Sequence, residues 1–140
     1  MTDTASVSRT PLETVREQYD AVNNADWDRS IALWSEDIVL DVRGGGVNTG
    51  VHQGLGTAMS WFVDWFSTFE AGAHFELTEL VELEDGSVLA VSTHRARGAR
   101  SGVAITGQVM WRYIVEDGRI IRQVWQNSRE EAIAAAASDA

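Results

Sequence analysis

The sequence predicts an α+β domain in which helices come first and a curved antiparallel sheet follows. Two observations predict it. Apolar residues recur at helical spacing in the first half of the chain, and from residue 75 onward they recur at every second position, as in strands with one buried face. The 140 residues are enough for one domain with its own core. We predict this domain over residues 10–135, with loose tails at residues 1–9 and 136–140.

The first predicted helix begins with a capping box. Thr10 is the N-cap, Pro11 occupies the first helical position, and Glu13 is the capping-box partner. Asn23-Asn24 ends this helix. The apolar residues between these ends share one face: Leu12, Val15, Tyr19 and Val22.

Two more helices are predicted in the first half of the chain. Asp26 predicts the cap of a short second helix, whose apolar stripe is Trp27, Ile31 and Trp34. Residues 57–69 predict a third helix, which is apolar enough to be buried on much of its circumference. Between them, residues 38–42 and 47–52 predict a short hairpin around a run of glycines.

The second half of the chain predicts four long strands and a closing helix. The strands are predicted at residues 75–83, 88–97, 103–115 and 120–127. Asp117-Gly118 is a strong hairpin signal between the last two. Ser128, with Glu131 three residues later, predicts a capping box for the closing helix.

Charge and composition argue against several classes of partner. The formal charge of -10 repels phosphates and anionic lipids, so we expect neither nucleic acid nor membrane as a partner. The chain has no cysteine, and its first ten residues lack the pattern of a signal peptide, which is compatible with a cytoplasmic location. His52 and His74 lack the spacing of metal ligands, so we expect no metal site.

Several short motifs, in a fixed order, carry a resemblance to a known family. They are Tyr19-Asp20-Ala21-Val22-Asn23-Asn24-Ala25-Asp26-Trp27, Gly50-Val51-His52-Gln53-Gly54, Glu84-Asp85-Gly86, Ser101-Gly102-Val103, Asp117-Gly118-Arg119-Ile120 and Arg129-Glu130-Glu131-Ala132. Over roughly residues 11–135 the chain resembles the SnoaL-like branch of the nuclear transport factor 2-like superfamily. The resemblance implies a cone, in which a curved sheet wraps around three N-terminal helices and leaves a hydrophobic cavity. It also implies a homodimer packed through the sheets.

The resemblance implies a class of function rather than one reaction. The first hypothesis is a cofactor-free isomerase, cyclase or dehydratase that acts on a hydrophobic, ring-containing small molecule by acid–base chemistry. The alternative is a non-catalytic module of the same fold that binds a small molecule or a protein. The positions that hold the base and the oxyanion acid of ketosteroid isomerases fall on Val42 and Val109, which argues against that mechanism, whereas the position of their tyrosine falls near Tyr19.

Three residues are the candidates for catalysis, namely His94, Asp41 and Tyr19, and Glu79 is considered beside them. Asp41 either faces solvent or, if a bulge shifts the strand register, serves as a cavity base. His94 lies in a row of small residues and is either structural or a proton-transfer group, because its unperturbed pKa of ~6.5 suits chemistry near neutrality. Either Asp41 or Tyr19 is its candidate partner across the cavity. Glu79 is either a cavity acid or is turned outward by a bulge, and we favour the bulge.

Six aromatic residues are the candidates for substrate binding. They either fill the core or line a ligand cavity: Trp34, Trp61, Trp65, Trp111, Tyr113 and Trp125. Arg95 and Arg97 are expected on a solvated or dimer-facing row.

Overall fold

The structure is a computed structural model that describes residues 9–44, 49–67 and 74–139. Four helices are present in these ranges: α1 (Pro11–Asn23), α2 (Trp27–Ala32), α3 (Leu55–Phe66) and α4 (Arg129–Asp139). Six strands complete the described part of the chain: β1 (Trp34–Asp41), β2 (Val51–Gln53), β3 (His74–Glu82), β4 (Val88–Arg97), β5 (Ala104–Glu116) and β6 (Arg119–Gln126).

The strands form one curved, unclosed sheet in the order β2-β1-β6-β5-β4-β3. Consecutive strands from β3 to β6 pair antiparallel, as predicted, and so do β1 and β2. The pairing of β1 with β6 is parallel, which is possible because most of the chain lies between them. The α+β class and the curved sheet with N-terminal helices are therefore confirmed.

The predicted helix caps are observed. The Thr10 hydroxyl accepts a hydrogen bond from the Glu13 amide at 3.1 Å, and the Glu13 carboxylate accepts one from the Thr10 amide at 2.8 Å. Asp26 accepts from the Arg29 amide at the start of α2. Ser128 caps α4 through the Glu131 amide, but the Glu131 carboxylate reaches back to the Asn127 amide instead of to Ser128. Local sequence therefore sets where these helices begin.

Some boundaries differ from the prediction. Trp34 begins β1 instead of continuing α2, and residues 36–37 are an irregular part of that strand, where the pairing with β6 shifts register. Helix α3 begins two residues early, after Gly54, whose φ of 95° favours glycine. The predicted end of this helix at Phe69 and the start of the second hairpin strand at Val47 lie outside the described residues.

The two faces of the sheet carry different contacts. The inner face packs against α1 and α3 around the main core, which includes Val15, Ile38, Ala90 and Trp111. The outer face holds a smaller cluster in which Ala132 of α4 packs against the sheet. Helix α4 continues to Asp139 and buries Ala136, so it extends past the predicted domain end at residue 135. Within the described ranges, no helix has the length and apolar character needed to cross a bilayer.

Candidate functional site

A large apolar chamber opens between α1, α2 and α3, and we call it the outer chamber. Its volume is ≈ 480 Å³. Most of its wall is aliphatic or aromatic, contributed by Val22, Trp27, Ile31, Trp34, Met59 and Val63. A volume of this size lies in the ~300–1,000 Å³ range of small-molecule sites.

A second, smaller chamber lies deeper in the cone, and we call it the inner chamber. Its volume is ≈ 40 Å³, and its wall includes Tyr19, Tyr113 and Gln123. The two chambers share four wall residues: Gln18, Val22, Phe62 and Phe66. They therefore adjoin, with an apolar space outside and, at its inner end, a smaller chamber whose wall includes a few polar side chains.

Gln18 is fixed at the junction of the two chambers. In the amide orientation that satisfies its surroundings, its oxygen accepts from the Trp34 indole N–H at 3.2 Å and its nitrogen donates to the Ser30 carbonyl at 3.2 Å. These bonds tie α1 to α2 and β1. They also hold the Trp34 ring in the wall of the outer chamber, where the sequence predicted a substrate-binding residue.

Two tyrosine hydroxyls meet in the inner part of the cone. The Tyr19 and Tyr113 rings pack edge to face with centroids 6.3 Å apart, and both side chains are buried. Burial raises the pKa of Tyr19, although the nearby hydroxyls of Tyr113 and Ser92 act to lower it. Burial raises the pKa of Tyr113 well above its usual value. Both phenols therefore keep their protons at neutral pH and can donate hydrogen bonds.

The Tyr19 hydroxyl lies beside the hydroxyls of Tyr113 and Ser92. It makes no hydrogen bond of regular geometry with any described residue, even though Tyr113 and Ser92 lie close enough to affect its pKa. The Ser92 hydroxyl donates instead to the Val109 carbonyl, at 3.5 Å. A buried hydroxyl without a partner is costly, so such a group commonly marks a place for water or ligand.

Gln123 is the site residue that the sequence analysis missed. It lies opposite Tyr113 in the β5–β6 ladder and is 2% exposed, and its side-chain oxygen has no hydrogen-bond partner among the described residues. Strict alternation from the buried Ile120 places Gln123 on the outer face. A register shift between Ile114 and Val115 instead brings Ile120 and Gln123 to the same side. The only sequence signal was its shared parity with Trp125.

His94 faces the core but stands outside both chamber walls. Its ring stacks on Phe75 at 4.7 Å and lies 5.0 Å from Trp65. Phe75 itself lines the inner chamber. Burial lowers the pKa of His94, so the imidazole is neutral at neutral pH. The structure thus brings His94 near the cavity, one aromatic layer behind its surface.

Asp41 is directed away from the cavity. Ile38, Leu40 and Val42 point into the core, which places Asp41 on the outer face of β1, although it is only 3% exposed. Its carboxylate binds Arg43 at 2.6 Å and Arg122 at 3.2 Å. Hydrogen bonding from Arg43 lowers the pKa of Asp41. The register shift in β1 lies before residue 39, so it does not turn Asp41 inward, and the structure does not join Asp41 to His94 or Tyr19.

Of the remaining aromatic residues predicted to bind substrate, some line a chamber and the others pack in the core. Trp111 lines the inner chamber together with Tyr113. Trp61, Trp65 and Trp125 contribute to neither chamber wall and pack against other aromatic rings instead.

Glu79 is turned outward, as favoured from the sequence. The bulge lies between Leu77 and Glu79, and the carboxylate binds Arg129 of α4 at 2.8 Å. Arg95 lies on the exposed side of β4 and pairs with Glu76 at 3.1 Å. In the part of the chain that the structure describes, no three His, Asp or Glu side chains are grouped closely enough to hold a metal ion.

Comparison with known families identifies the chain. The model of the SnoaL-like domain matches residues 15–123. The chain belongs to the SnoaL-like domain family. A search of curated protein sequences finds no match for this SnoaL-like chain.

Solved structures share the fold of this SnoaL-like chain. Bal32a, from a soil-derived mobile gene cassette, is 21% identical over 84% of this chain and 88% of its own, with a TM-score of 0.73. TerC, co-crystallised with polyporic acid, is 14% identical over 94% and 97%, with a TM-score of 0.71. A candidate polyketide cyclase from Xanthomonas campestris is 19% identical over 91% and 96%, also with a TM-score of 0.71. At these identities the similarity shows the fold alone.

Proposed function

We propose that this SnoaL-like chain binds a hydrophobic, ring-containing small molecule and acts on it as a cofactor-independent isomerase or cyclase. The observation that carries the proposal is the pair of adjoining chambers. The outer chamber can enclose an apolar ring system, and the inner chamber presents the protonated hydroxyls of Tyr19 and Tyr113 to a polar end of the ligand. A candidate polyketide cyclase shares this fold, so the fold is compatible with the same class of reaction.

The tyrosines supply the acid side of this chemistry. When a ketone loses a proton from the carbon beside its carbonyl, negative charge develops on the carbonyl oxygen. Donors fixed in a site that excludes water stabilise that charge, and removing one such donor costs about 10²–10³ in rate. Isomerisation and cyclisation need no oxidant or reductant, so proton donors and acceptors are sufficient for the reaction.

His94 is our candidate for the proton acceptor. Its neutral imidazole is the form that a base requires, and burial holds it in that form. Because Phe75 stacks on its face, we propose that His94 acts only when the Phe75 ring has rotated aside. Asp41 has no place in this mechanism, since both its position and its arginine partners keep it away from the cavity.

The test is exchange of carbon-bound hydrogen. The bicyclic ketone α-tetralone is incubated with the protein in D₂O, and deuterium incorporation beside the carbonyl is followed by NMR. Exchange above the buffer rate that disappears in the double variant Tyr19→Phe/Tyr113→Phe supports the proposal. Exchange that is equally fast in the double variant overturns the roles of the tyrosines.

A non-catalytic binding function is the second candidate, and one observation favours it. Among the described residues that line the two chambers there is no Asp or Glu, although carboxylates are common general bases. This hypothesis predicts that tetralone binds without any exchange. Native mass spectrometry after incubation with an extract of source cells tests both hypotheses for a retained ligand, and a protein that retains no small molecule and does not bind tetralone contradicts both.

Two further parts of the proposal concern assembly and location. We propose a homodimer that packs through the sheet, as the family resemblance implies. We also propose a cytoplasmic location, with which a chain that has no cysteine is compatible.

A further inference from the structure

The inner chamber contains two buried polar groups of opposite hydrogen-bonding character. The Gln123 side-chain oxygen can only accept a hydrogen bond, whereas the protonated Tyr19 hydroxyl can donate one. Neither has a regular hydrogen-bond partner among the described residues, and both residues line the same chamber. Each unsatisfied buried group is unfavourable by itself, so two in one small space point to a ligand that satisfies both.

The dimensions of the chamber limit what that ligand places there. A volume of ≈ 40 Å³ has room for only a few non-hydrogen atoms, because one water needs roughly 10–15 Å³ by the same measure. A whole ring does not fit, but two neighbouring oxygen substituents do. The rings of the ligand then lie against the apolar wall of the outer chamber, which adjoins the inner one through Phe62 and Phe66.

We propose that the inner chamber selects ligands whose polar end carries a hydroxyl next to a carbonyl, as in a hydroxyketone or an enolised diketone. The ligand hydroxyl donates to the Gln123 oxygen, and the ligand carbonyl accepts from the Tyr19 hydroxyl. This inference rests on the proposed function, because it requires that the two chambers hold the ligand. Gln123 is then the residue that determines specificity for the hydroxyl.

The geometry of β6 supports a role in ligand binding for Gln123. The register shift between Ile114 and Val115 turns the Gln123 amide inward, opposite Tyr113. Without this shift, regular alternation from Ile120 would place the amide on the outer face. Gln126, further along β6, shows the contrasting case, since it binds Arg112 and Glu131 on the outer face. The side-chain oxygen of Gln123 has no such partner among the described residues.

The experiment compares three ligands by calorimetric titration: α-tetralone and its α-hydroxy and α-methoxy derivatives. The wild type is expected to bind the hydroxyketone about five- to tenfold more tightly than tetralone, the effect of about one hydrogen bond. The methoxy compound is expected to lose this advantage, because it has no proton to donate. In Gln123→Met, which keeps the length of the side chain without its acceptor, the hydroxyketone and tetralone are expected to bind equally.

A second variant separates recognition in the chamber from a general effect of the substitution. Gln126→Met makes the same change on the outer face of β6, outside both chamber walls, so this variant is expected to keep the preference for the hydroxyketone. Equal binding of all three ligands by the wild type overturns this inference and leaves the proposed function standing. Failure of all three to bind overturns the proposed function as well. A preference that persists in Gln123→Met also overturns the inference.

Discussion

The imidazole of His94 lies almost parallel to the ring of Phe75, with an interplanar angle of 13° and centroids 4.7 Å apart. This stack and the neighbouring Trp65 bury a group that prefers to be charged in acid. The same contact keeps the imidazole neutral and separates it from the inner chamber. Two predictions follow from it, one on stability and one on the reaction.

The first prediction concerns stability against pH. In the folded protein, burial lowers the pKa of His94 below its ordinary value of 6.5. Below that pH the unfolded chain therefore binds a proton at His94 more readily than the folded chain does. The contribution of the neutral His94 ring to the free energy of unfolding is therefore fully present above about pH 6.5. This contribution is lost progressively as the pH falls below that value. In His94→Phe, which keeps an aromatic ring but does not titrate, the melting temperature is expected to fall less between pH 7.5 and about 5.5. An identical fall in both proteins contradicts the burial argument.

The second prediction concerns the reaction at the same residue. If His94 takes the proton from carbon, His94→Phe is expected to lose tetralone exchange while tetralone still binds, because His94 lines neither chamber. NMR exchange and calorimetric titration of the same sample measure the two properties. Exchange at the wild-type rate in this variant removes His94 from the mechanism.

The features that could be predicted from the sequence are those decided by neighbouring residues. Thr10 with Glu13 and Asp26 with Arg29 define their caps within one helical turn, and period-two alternation identifies β3, β4 and β5. Trp34 was placed on the wrong element because its spacing from Ile31 fits a helix, whereas its structure is decided by pairing with Ile120. That pairing joins residues far apart in the chain, and local periodicity does not contain it.

The candidate site was harder to predict for the same reason. Whether Gln123 points in or out depends on a register shift in the β5–β6 pairing. The carboxylate of Asp41 is bound by Arg43, two positions away, and also by Arg122, which is 81 positions away in the chain, and only the first of these contacts is local in sequence. His94 was found because a titratable imidazole stands in a row of small residues, and Tyr19 was found through the family resemblance. The distance of His94 from the cavity surface depends on Phe75, whose ring stacks on the imidazole and lines the inner chamber.

The third prediction separates the effect of the Tyr19 hydroxyl on stability from its effect on the reaction. Tyr19→Phe removes a buried hydroxyl without a regular partner, so the free energy of unfolding is expected to stay the same or rise by about 1 kcal/mol. Tetralone exchange is expected to fall by roughly 10²-fold, as for the loss of an oxyanion donor. Urea denaturation and the NMR assay measure the two effects. A large loss of stability instead indicates that the hydroxyl has a structural partner.

The fourth prediction concerns Asp41, for which the structure indicates a structural role. Asp41→Asn weakens the contacts with Arg43 and Arg122, and since both arginines are partly exposed, the expected loss is about 1–3 kcal/mol. Because the pKa of Asp41 is lowered, its contribution is present above the unfolded value of 3.8 and is lost as the pH falls through the folded value. Binding and exchange of tetralone are expected to be unchanged in the folded variant. Loss of exchange without loss of stability contradicts this role.

The last prediction tests whether the outer chamber is the place where the ligand body binds. Ile31→Trp adds an indole to the chamber wall, and it is expected to weaken tetralone binding at least about tenfold by filling space that the ligand needs. Ile133→Trp is the matched control, because it makes the same change on α4, where the side chain is 54% exposed and outside both chamber walls. Calorimetric titration measures both affinities, and circular dichroism checks that both variants are folded. Equal weakening in the two variants, or none in Ile31→Trp, excludes the outer chamber as the binding site, since only a ligand that occupies it distinguishes the two positions.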